Sequence, residues 1–204
     1  MTMEGSMAKL NFKYGAMNAG KSTILLQTAY NYEERGQKVL LVKPMIDTKG
    51  GNKVVSRLGI EREVDILLES DDYILDKKYL DMLKNVNCIL VDECQFLTVE
   101  QVEDFWKIAK QWDIPVICYG LRSDFKGEGF ASSMRLFVLA DELEEMPTIC
   151  ECGKKARFNA RIVNNEYTLI GNSIEIDNND DIDYKSLCGN CFQSKVKKLC
   201  LKKY

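Results

Sequence analysis

The chain carries 204 residues, 46% of them apolar and 29% charged, a composition that fits one α/β domain of moderate size or a core domain with a small appendage. Its 28 basic residues fall short of its 31 acidic ones, and a net charge of −3 argues against sequence-independent nucleic-acid binding, which needs a dense cationic surface. There is no histidine, which excludes Ser-His-Asp and Cys-His catalysis and leaves any tetrahedral zinc site to thiolates.

Residues 1–7 (MTMEGSM) lack the basic-then-apolar order of a secretory signal and read as a disordered extension, an expression scar before a start at Met7. Leu10, Phe12 and Tyr14 then alternate with polar residues, the pattern of a strand with one buried face. Gly15 stops it, and a helix is predicted from Lys21 to Arg35 with Gly36 as its cap. Val39–Val42 is a second apolar strand, followed by a glycine-rich loop to about Ser56. A strand over Val64–Leu68, a helix over Tyr73–Leu83 and a buried strand over Cys88–Val91 come next. Thr98 and Gln101 form a capping box for a helix through Trp112, and Ile114–Tyr119 is a further strand. This alternation predicts a mainly parallel sheet with helices on both faces, and ligands in such sheets sit beyond the carboxyl ends of the strands.

The character changes near residue 140. An acidic run, Asp141–Glu145, leads through Pro147 to paired cysteines, an Asn/Asp-rich stretch and more paired cysteines. The expected division is therefore a core of residues 8–145 and an appendage of residues 146–204. No apolar run approaches the ~20 residues that span a bilayer. Membrane attachment is not expected, and the eight cysteines belong in a reducing, cytoplasmic setting, as metal ligands or packing residues.

Gly15-Ala16-Met17-Asn18-Ala19-Gly20-Lys21-Ser22 matches G-x-x-x-x-G-K-[ST] between a strand and a helix, the setting a phosphate-binding loop requires. The glycines permit a nest of inward amides, Lys21 reaches the β- and γ-phosphates, and Ser22 holds Mg²⁺. Asp92-Glu93 ends an apolar strand, where an Asp binds the Mg²⁺ of such a protein and the adjacent Glu is free to take a proton from a nucleophile. Cys150-Glu151-Cys152 and Cys188-Gly189-Asn190-Cys191 supply four thiolates, enough for a closed, structural Zn²⁺ site, although a C-x-C bite is less ideal than C-x₂-C. Cys88, Cys94, Cys118 and Cys200 read as packing residues. Phe96, Tyr119, Phe125, Phe130, Tyr167 and Tyr184 are candidate walls for a flat aromatic ligand, and composition does not choose among them.

In this order, these strings make the sequence resemble the cellular, zinc-containing (type II) thymidine kinases. Asp47-Thr48, Asp92-Glu93-Cys94-Gln95-Phe96, Tyr119–Phe125 and Tyr184–Cys188 strengthen the resemblance, which runs from Leu10 to Cys191. It implies a P-loop NTPase-like core and a small zinc-binding lasso domain. Glu93 would accept the proton of a deoxynucleoside 5′-hydroxyl. Gly15–Ser22, Asp47, Thr48 and Asp92–Gln95 would surround ATP, with Mg²⁺ on Ser22 and Asp92. Phe125 would contact the pyrimidine, while Tyr167, Thr168, Leu169, Ile170 and Gly171 with Tyr184 would form a lasso over thymidine. A homotetramer inhibited by dTTP is implied by the same resemblance.

Two other classes fit parts of the sequence. One is a P-loop ATPase or GTPase switch with a structural zinc site. Val55, where a guanine-reading loop needs Asp, leaves GTP specificity unsupported. The other is a zinc-ribbon nucleic-acid binder, which the net charge and the acidic insert oppose.

Overall fold

A computed structural model describes residues 7–46, 51–172 and 182–197. The extension before Met7, Asp47, Thr48, Cys200 and most of the Asn/Asp-rich stretch therefore lie outside the described residues. In chain order the elements are β1 (Leu10–Tyr14), α1 (Lys21–Glu33), β2 (Val39–Pro44), β3 (Lys53–Val55), β4 (Glu61–Glu63), β5 (Ile66–Leu68), α2 (Lys77–Leu83) and β6 (Cys88–Val91). A 3₁₀ turn at Cys94–Phe96 precedes α3 (Val99–Gln111), β7 (Val116–Gly120), α4 (Ala131–Leu139) and β8 (Glu142–Glu145). Then come β9 (Thr148–Ile149), β10 (Lys155–Ala156), β11 (Phe158–Val163), β12 (Glu166–Thr168), β13 (Ile182–Leu187), α5 (Gly189–Phe192) and a π-helical turn over Gln193–Lys197.

Six strands form one sheet in the order β5-β2-β6-β7-β1-β8, every neighbouring pair parallel. The period of two along a strand divides its side chains between two cores. Leu40 and Val42 of β2 face Phe105 and Ile108 of α3 and Leu136 of α4, whereas Val39 and Leu41 face Leu25, Leu26 and Ala29 of α1. This is the expected parallel sheet with helices on both faces.

Several boundaries differ from the sequence expectation for identifiable reasons. The helix expected from Tyr73 begins at Lys77, because Asp76 accepts a hydrogen bond from the Tyr73 amide at 3.1 Å and holds a turn there. The glycine-rich loop expected to reach Ser56 contains β3, which pairs antiparallel with β4. Ala131–Leu139, unassigned from the sequence, is helical and packs Phe137 edge-on to Phe12 and Tyr14, with ring centroids 5.1 and 4.8 Å apart.

The acidic run is the largest departure, since Glu142–Glu145 is a strand at the sheet edge. Its carboxylates meet cations beside and within β1: Lys9 lies 2.6 Å from Glu142 and Lys13 lies 2.8 Å from Glu144. Exposed pairs of this kind contribute far less than a buried aliphatic side chain, which is worth ~1.5–3 kcal/mol. The pairs therefore select register and keep the edge soluble, while the two cores hold the sheet. The predicted helix start at Thr98 is present in full: Thr98 Oγ1 accepts from the Gln101 amide at 3.2 Å, and Gln101 Oε1 accepts from the Thr98 amide at 3.0 Å.

After β8 the chain builds two smaller sheets, β9–β10 and β12-β11-β13, over a third apolar cluster of Cys150, Ala156, Ala160, Leu187, Cys188, Phe192 and Val196.

Candidate active site

The loop from Gly15 to Ser22 joins β1 to α1 at the carboxyl edge of the sheet. Gly15 is required by crowding, because a Cβ there would sit 2.5 Å from the Met146 carbonyl oxygen. Gly20, the residue before α1, has φ 76°, and Asn18 also adopts a positive φ of 66°. Between them runs the reversal that a nest of amides needs. Lys21 is buried at the foot of the loop, and its Nζ donates to the carbonyl oxygens of Gly15 (3.3 Å) and Ala16 (3.1 Å). Burial draws its pKa below the ordinary lysine value, although the nearby carboxylates of Glu93 and Asp92 oppose that shift.

Asp92 and Glu93 follow β6, the strand two places from β1 across β7. Asp92 is buried, and its Oδ2 accepts a hydrogen bond from Ser22 Oγ at 3.4 Å, so the two sequence motifs meet. Glu93 stands at φ 47°, ψ 41°, a left-handed backbone unusual for a side chain other than Gly, Asn or Asp. Its carboxylate Oε2 accepts from Gln95 Nε2 at 2.6 Å. Gln95 is buried, and its Oε1 accepts from the Leu121 amide at 3.0 Å. The Gln95 carbonyl is in turn held by Ser132 Oγ at 2.7 Å, and the Leu121 carbonyl by Ser133 Oγ at 2.6 Å. Gly120 leaves room for this arrangement, since a Cβ there would stand 2.6 Å from Cys94 Sγ and 2.7 Å from Gln95 Oε1. Cys94 is fully buried, which pushes its thiol well above the ordinary value and agrees with a packing role.

The Leu121–Phe125 segment leads away from β7. Asp124 caps its turn, accepting from the Lys126 and Glu128 amides at 2.9 Å each, and Phe125 is buried beneath it. The Arg161 guanidinium of β11 lies over the Phe125 ring at 5.3 Å, and its Nη1 donates to the Ile170 carbonyl at 3.4 Å. Arg161 is paired across the sheet with Thr168 on one side and Tyr184 on the other. Phe125, Thr168, Ile170 and Tyr184 are thus gathered around Arg161. Tyr167 and Leu169 instead pack against the third cluster, beside Phe158 and Cys191, and Gly171 has a positive φ of 122°. Of the other aromatic candidates, Tyr119 is buried with its hydroxyl 3.2 Å from Thr28 Oγ1, and Phe96 stacks edge-on to Phe130 at 6.0 Å. A cleft of about 450 Å³ opens where Asn18 meets Arg57, Thr148 and Tyr184–Leu187.

The four cysteines converge despite the unequal spacing of the two pairs. Their Sγ atoms all lie within 4.8 Å of one another, with Cys152 Sγ 3.6 Å from Cys188 Sγ. The short C-x-C bite works because Cys150–Lys154 is the turn of the β9–β10 hairpin, where Gly153 at φ 80° donates its amide to the Cys150 carbonyl at 2.8 Å. The Cys191 amide, together with neighbouring thiols, brings Cys188 down to about 7, while the sulfurs of Cys152 and Cys188 push Cys191 up to about 12. A set of crowded thiols, one of them readily ionised, is the donor chemistry of a tetrahedral thiolate site and could hold a zinc ion.

Sequence reasoning missed the residues that aim these groups. Ser132 and Ser133 sit on the unassigned helix, Asn159 on a strand without a motif, and Ser186 inside the Tyr184–Cys188 string, where it was given no role.

Comparison with known proteins places the chain in a family. The family model described as thymidine kinase matches residues 8–192. The thymidine kinase of Enterobacteria phage T4 is 43% identical over 194 residues, covering 95% of this chain and 100% of the relative. That of Francisella tularensis subsp. holarctica (strain LVS) is 43% identical over 187 residues, 89% of this chain and 95% of the relative. That of Legionella pneumophila (strain Paris) is 46% identical over 185 residues, 89% of this chain and 88% of the relative. With a phosphate loop, an acidic strand end and a thiol cluster in one chain, and a family match over nearly its whole length, the chain belongs to the thymidine kinase family of enzymes.

Proposed function

We propose that the chain transfers the γ-phosphoryl group of ATP to the 5′-hydroxyl of thymidine, and of deoxyuridine, yielding ADP and the nucleoside monophosphate in a salvage step. The carrying observation is the meeting of the two motifs: Ser22 bonded to Asp92, with Lys21 and Glu93 beside them. In this reading the amides of Gly15–Ser22 cradle the triphosphate, with Cys94 and Gln95 lining the same centre; Asp47 and Thr48, outside the described residues, are assigned to the nucleotide by family resemblance alone. Lys21 releases the loop carbonyls it now holds and turns to the phosphate oxygens. A hydroxyl and a carboxylate oxygen 3.4 Å apart suit a hard divalent cation, so Ser22 and Asp92 would hold Mg²⁺. When bound, that ion neutralises the charge that develops on the transferred group.

Glu93 takes the proton of the attacking hydroxyl. Its carboxylate is aimed by the Gln95 amide on one side and by an unusual backbone conformation on the other, so orientation is set before substrate arrives. Phe125 forms a wall for the pyrimidine, and Tyr167–Gly171 with Tyr184 closes over the nucleoside. Cys150, Cys152, Cys188 and Cys191 hold a structural Zn²⁺ within an appendage of residues 146–204, apart from a kinase core of residues 8–145. The homotetramer, the inhibition by dTTP and the cytoplasmic location follow from the family and are proposed on that ground. No helix among the described residues is long and apolar enough to cross a membrane.

The test is a kinase assay across the natural deoxynucleosides with ATP and Mg²⁺, run on wild type, Glu93→Gln and Lys21→Ala. Thymidine-dependent ADP formation is expected, with Glu93→Gln slower by about 10²–10⁴-fold while nucleotide still binds. Retention of more than about a tenth of the turnover would remove Glu93 as the base, since a general base contributes far more than that. ATP kinetics unchanged in Lys21→Ala would remove the phosphate loop from the mechanism.

A further inference from the structure

Two polar side chains to which the sequence assigned no role grip the middle of the phosphate loop. Asn159 of β11 is buried, and its Oδ1 accepts a hydrogen bond from the Met17 amide at 2.8 Å. Ser186 of β13 donates its hydroxyl to the carbonyl oxygen of the same residue. Asn159 and Ser186 are cross-strand partners in the β11–β13 ladder, so one rung of that sheet holds both polar backbone groups of Met17. A third contact extends the grip, as Thr148 Oγ1 donates to the Asn18 carbonyl at 3.2 Å. The other end of the Asn159 amide points to the acceptor side, where its Nδ2 donates to the carbonyl oxygen of buried Ser123 at 3.5 Å, two residues before Phe125.

We propose that the Asn159–Ser186 rung is a pair of positioning residues that sets the phosphate loop in register with the nucleoside pocket. The proposal rests on the reading of Gly15–Ser22 as the cradle for the donor phosphates. Met17 stands three residues before Gly20, in a loop whose amides must keep fixed directions to serve an anion. Holding both its N–H and its C=O fixes the peptide planes on either side and hence the direction of the amides that follow. Main-chain hydrogen bonds that hold the loop before α1 are few: Ala19 donates to Ala16 at 3.3 Å within it, and Gly15 donates to Gly120 of β7 at 3.2 Å. The side chains from β11 and β13 therefore supply much of its definition. The same two strands carry Arg161 and Tyr184, and β13 runs into Cys188. A single rung thus joins the donor loop, the segment of Phe125 and the sheet beside the thiol cluster.

The experiment measures ATP affinity by direct titration and, separately, kcat and the KM values for ATP and thymidine, in Asn159→Ala, Ser186→Ala, Ser186→Thr and the double alanine variant. Thermal melting of each checks folding. Each single alanine variant should weaken ATP binding about tenfold, the scale of one buried hydrogen bond, and Ser186→Thr should restore it. The double variant should lose less than the product of the single losses, because both side chains act on one peptide. Only Asn159→Ala should also raise the KM for thymidine, since it alone reaches Ser123. ATP affinity within twofold of wild type in both single alanine variants would overturn the proposal. If Asn159→Ala does not fold, Ser186→Ala and Ser186→Thr decide alone: a loss that threonine fails to restore overturns it. Lys21→Ala in the same titration separates the two readings. If that variant binds ATP like wild type, the phosphate loop itself fails, whereas a weak Lys21→Ala beside unaffected Asn159→Ala and Ser186→Ala removes only the rung.

Discussion

The backbone of Glu93 allows a test that is independent of catalysis. At φ 47°, ψ 41°, its Cβ crowds the following carbonyl, at a cost of ~1–2 kcal/mol relative to a residue without a Cβ. Replacing Glu93 by Ala or by Gly removes the same carboxylate and deprives Gln95 Nε2 of the same partner at 2.6 Å. The difference between the two variants therefore isolates the backbone. Glycine gains the relief of strain but costs ~0.4–1 kcal/mol through its freer unfolded chain, leaving Glu93→Gly more stable than Glu93→Ala by ~0.5–1 kcal/mol. At ordinary positions the order is the reverse. Paired urea titrations measure the difference directly, and in the melting midpoint it should amount to ~1–4 °C for a domain of this size. Both variants should be inactive, so activity cannot bias the comparison. An alanine variant as stable as the glycine variant, or more so, would show that Glu93 carries no strain, and the pre-set orientation of its carboxylate would lose its main support.

Other substitutions probe the surroundings. Gly120→Ala should destabilise the fold by ~1–3 kcal/mol through overpacking against Cys94 and Gln95 and should lower kcat as the Gln95 amide is displaced; a stable, fully active variant would refute this. Cys152→Ser should reduce bound zinc and lower the melting midpoint, as measured by metal analysis and calorimetry, and an unchanged metal content would show that three thiolates suffice. Asp141 links β1 to α3, accepting from the Leu10 amide at 2.8 Å and from Lys110 Nζ at 2.6 Å. Burial pulls its pKa up, but the Lys110 ammonium and the Leu10 amide outweigh that and hold it below the ordinary carboxylate value. A lowered pKa stabilises the fold above the unfolded-state value and loses that contribution as pH falls through the folded one. Asp141→Asn should accordingly cost ~1 kcal/mol near neutral pH, and the gap to wild type should close below about pH 4. A gap that does not depend on pH would refute the assignment.

What could be read from the sequence is what depends on neighbours along the chain. The phosphate loop is encoded by glycines and a lysine at fixed spacing, the α3 start by Thr98 and Gln101, and the central strands by uninterrupted apolar runs such as Cys88–Val91. The four thiols were likewise legible as a set, although only the Gly153 turn explains how C-x-C reaches the same point as C-x₂-C. What escaped depends on partners distant in sequence. Glu142–Glu145 has no strand signal of its own and becomes a strand by pairing with the edge of β1, more than 130 positions earlier, where Lys9 and Lys13 meet its carboxylates. Ser132, Asn159 and Ser186 look like ordinary polar residues until the fold brings them to Gln95 and Met17.

The place of β1 in the sheet bears on how the molecule is made. Among the described residues β1 pairs with β7 and β8, both more than 100 residues downstream. Until those arrive, Leu10 and Phe12 have no shelter, whereas β2, β5 and β6 can join one another within a stretch of about fifty residues. Low sequence separation favours early pairing on the β5-β2-β6 side of the sheet, and the loop after β1 takes its place only once β7 and β8 are present. A chain cut before β7 would leave Leu10 and Phe12 without their strand partners and open to aggregation.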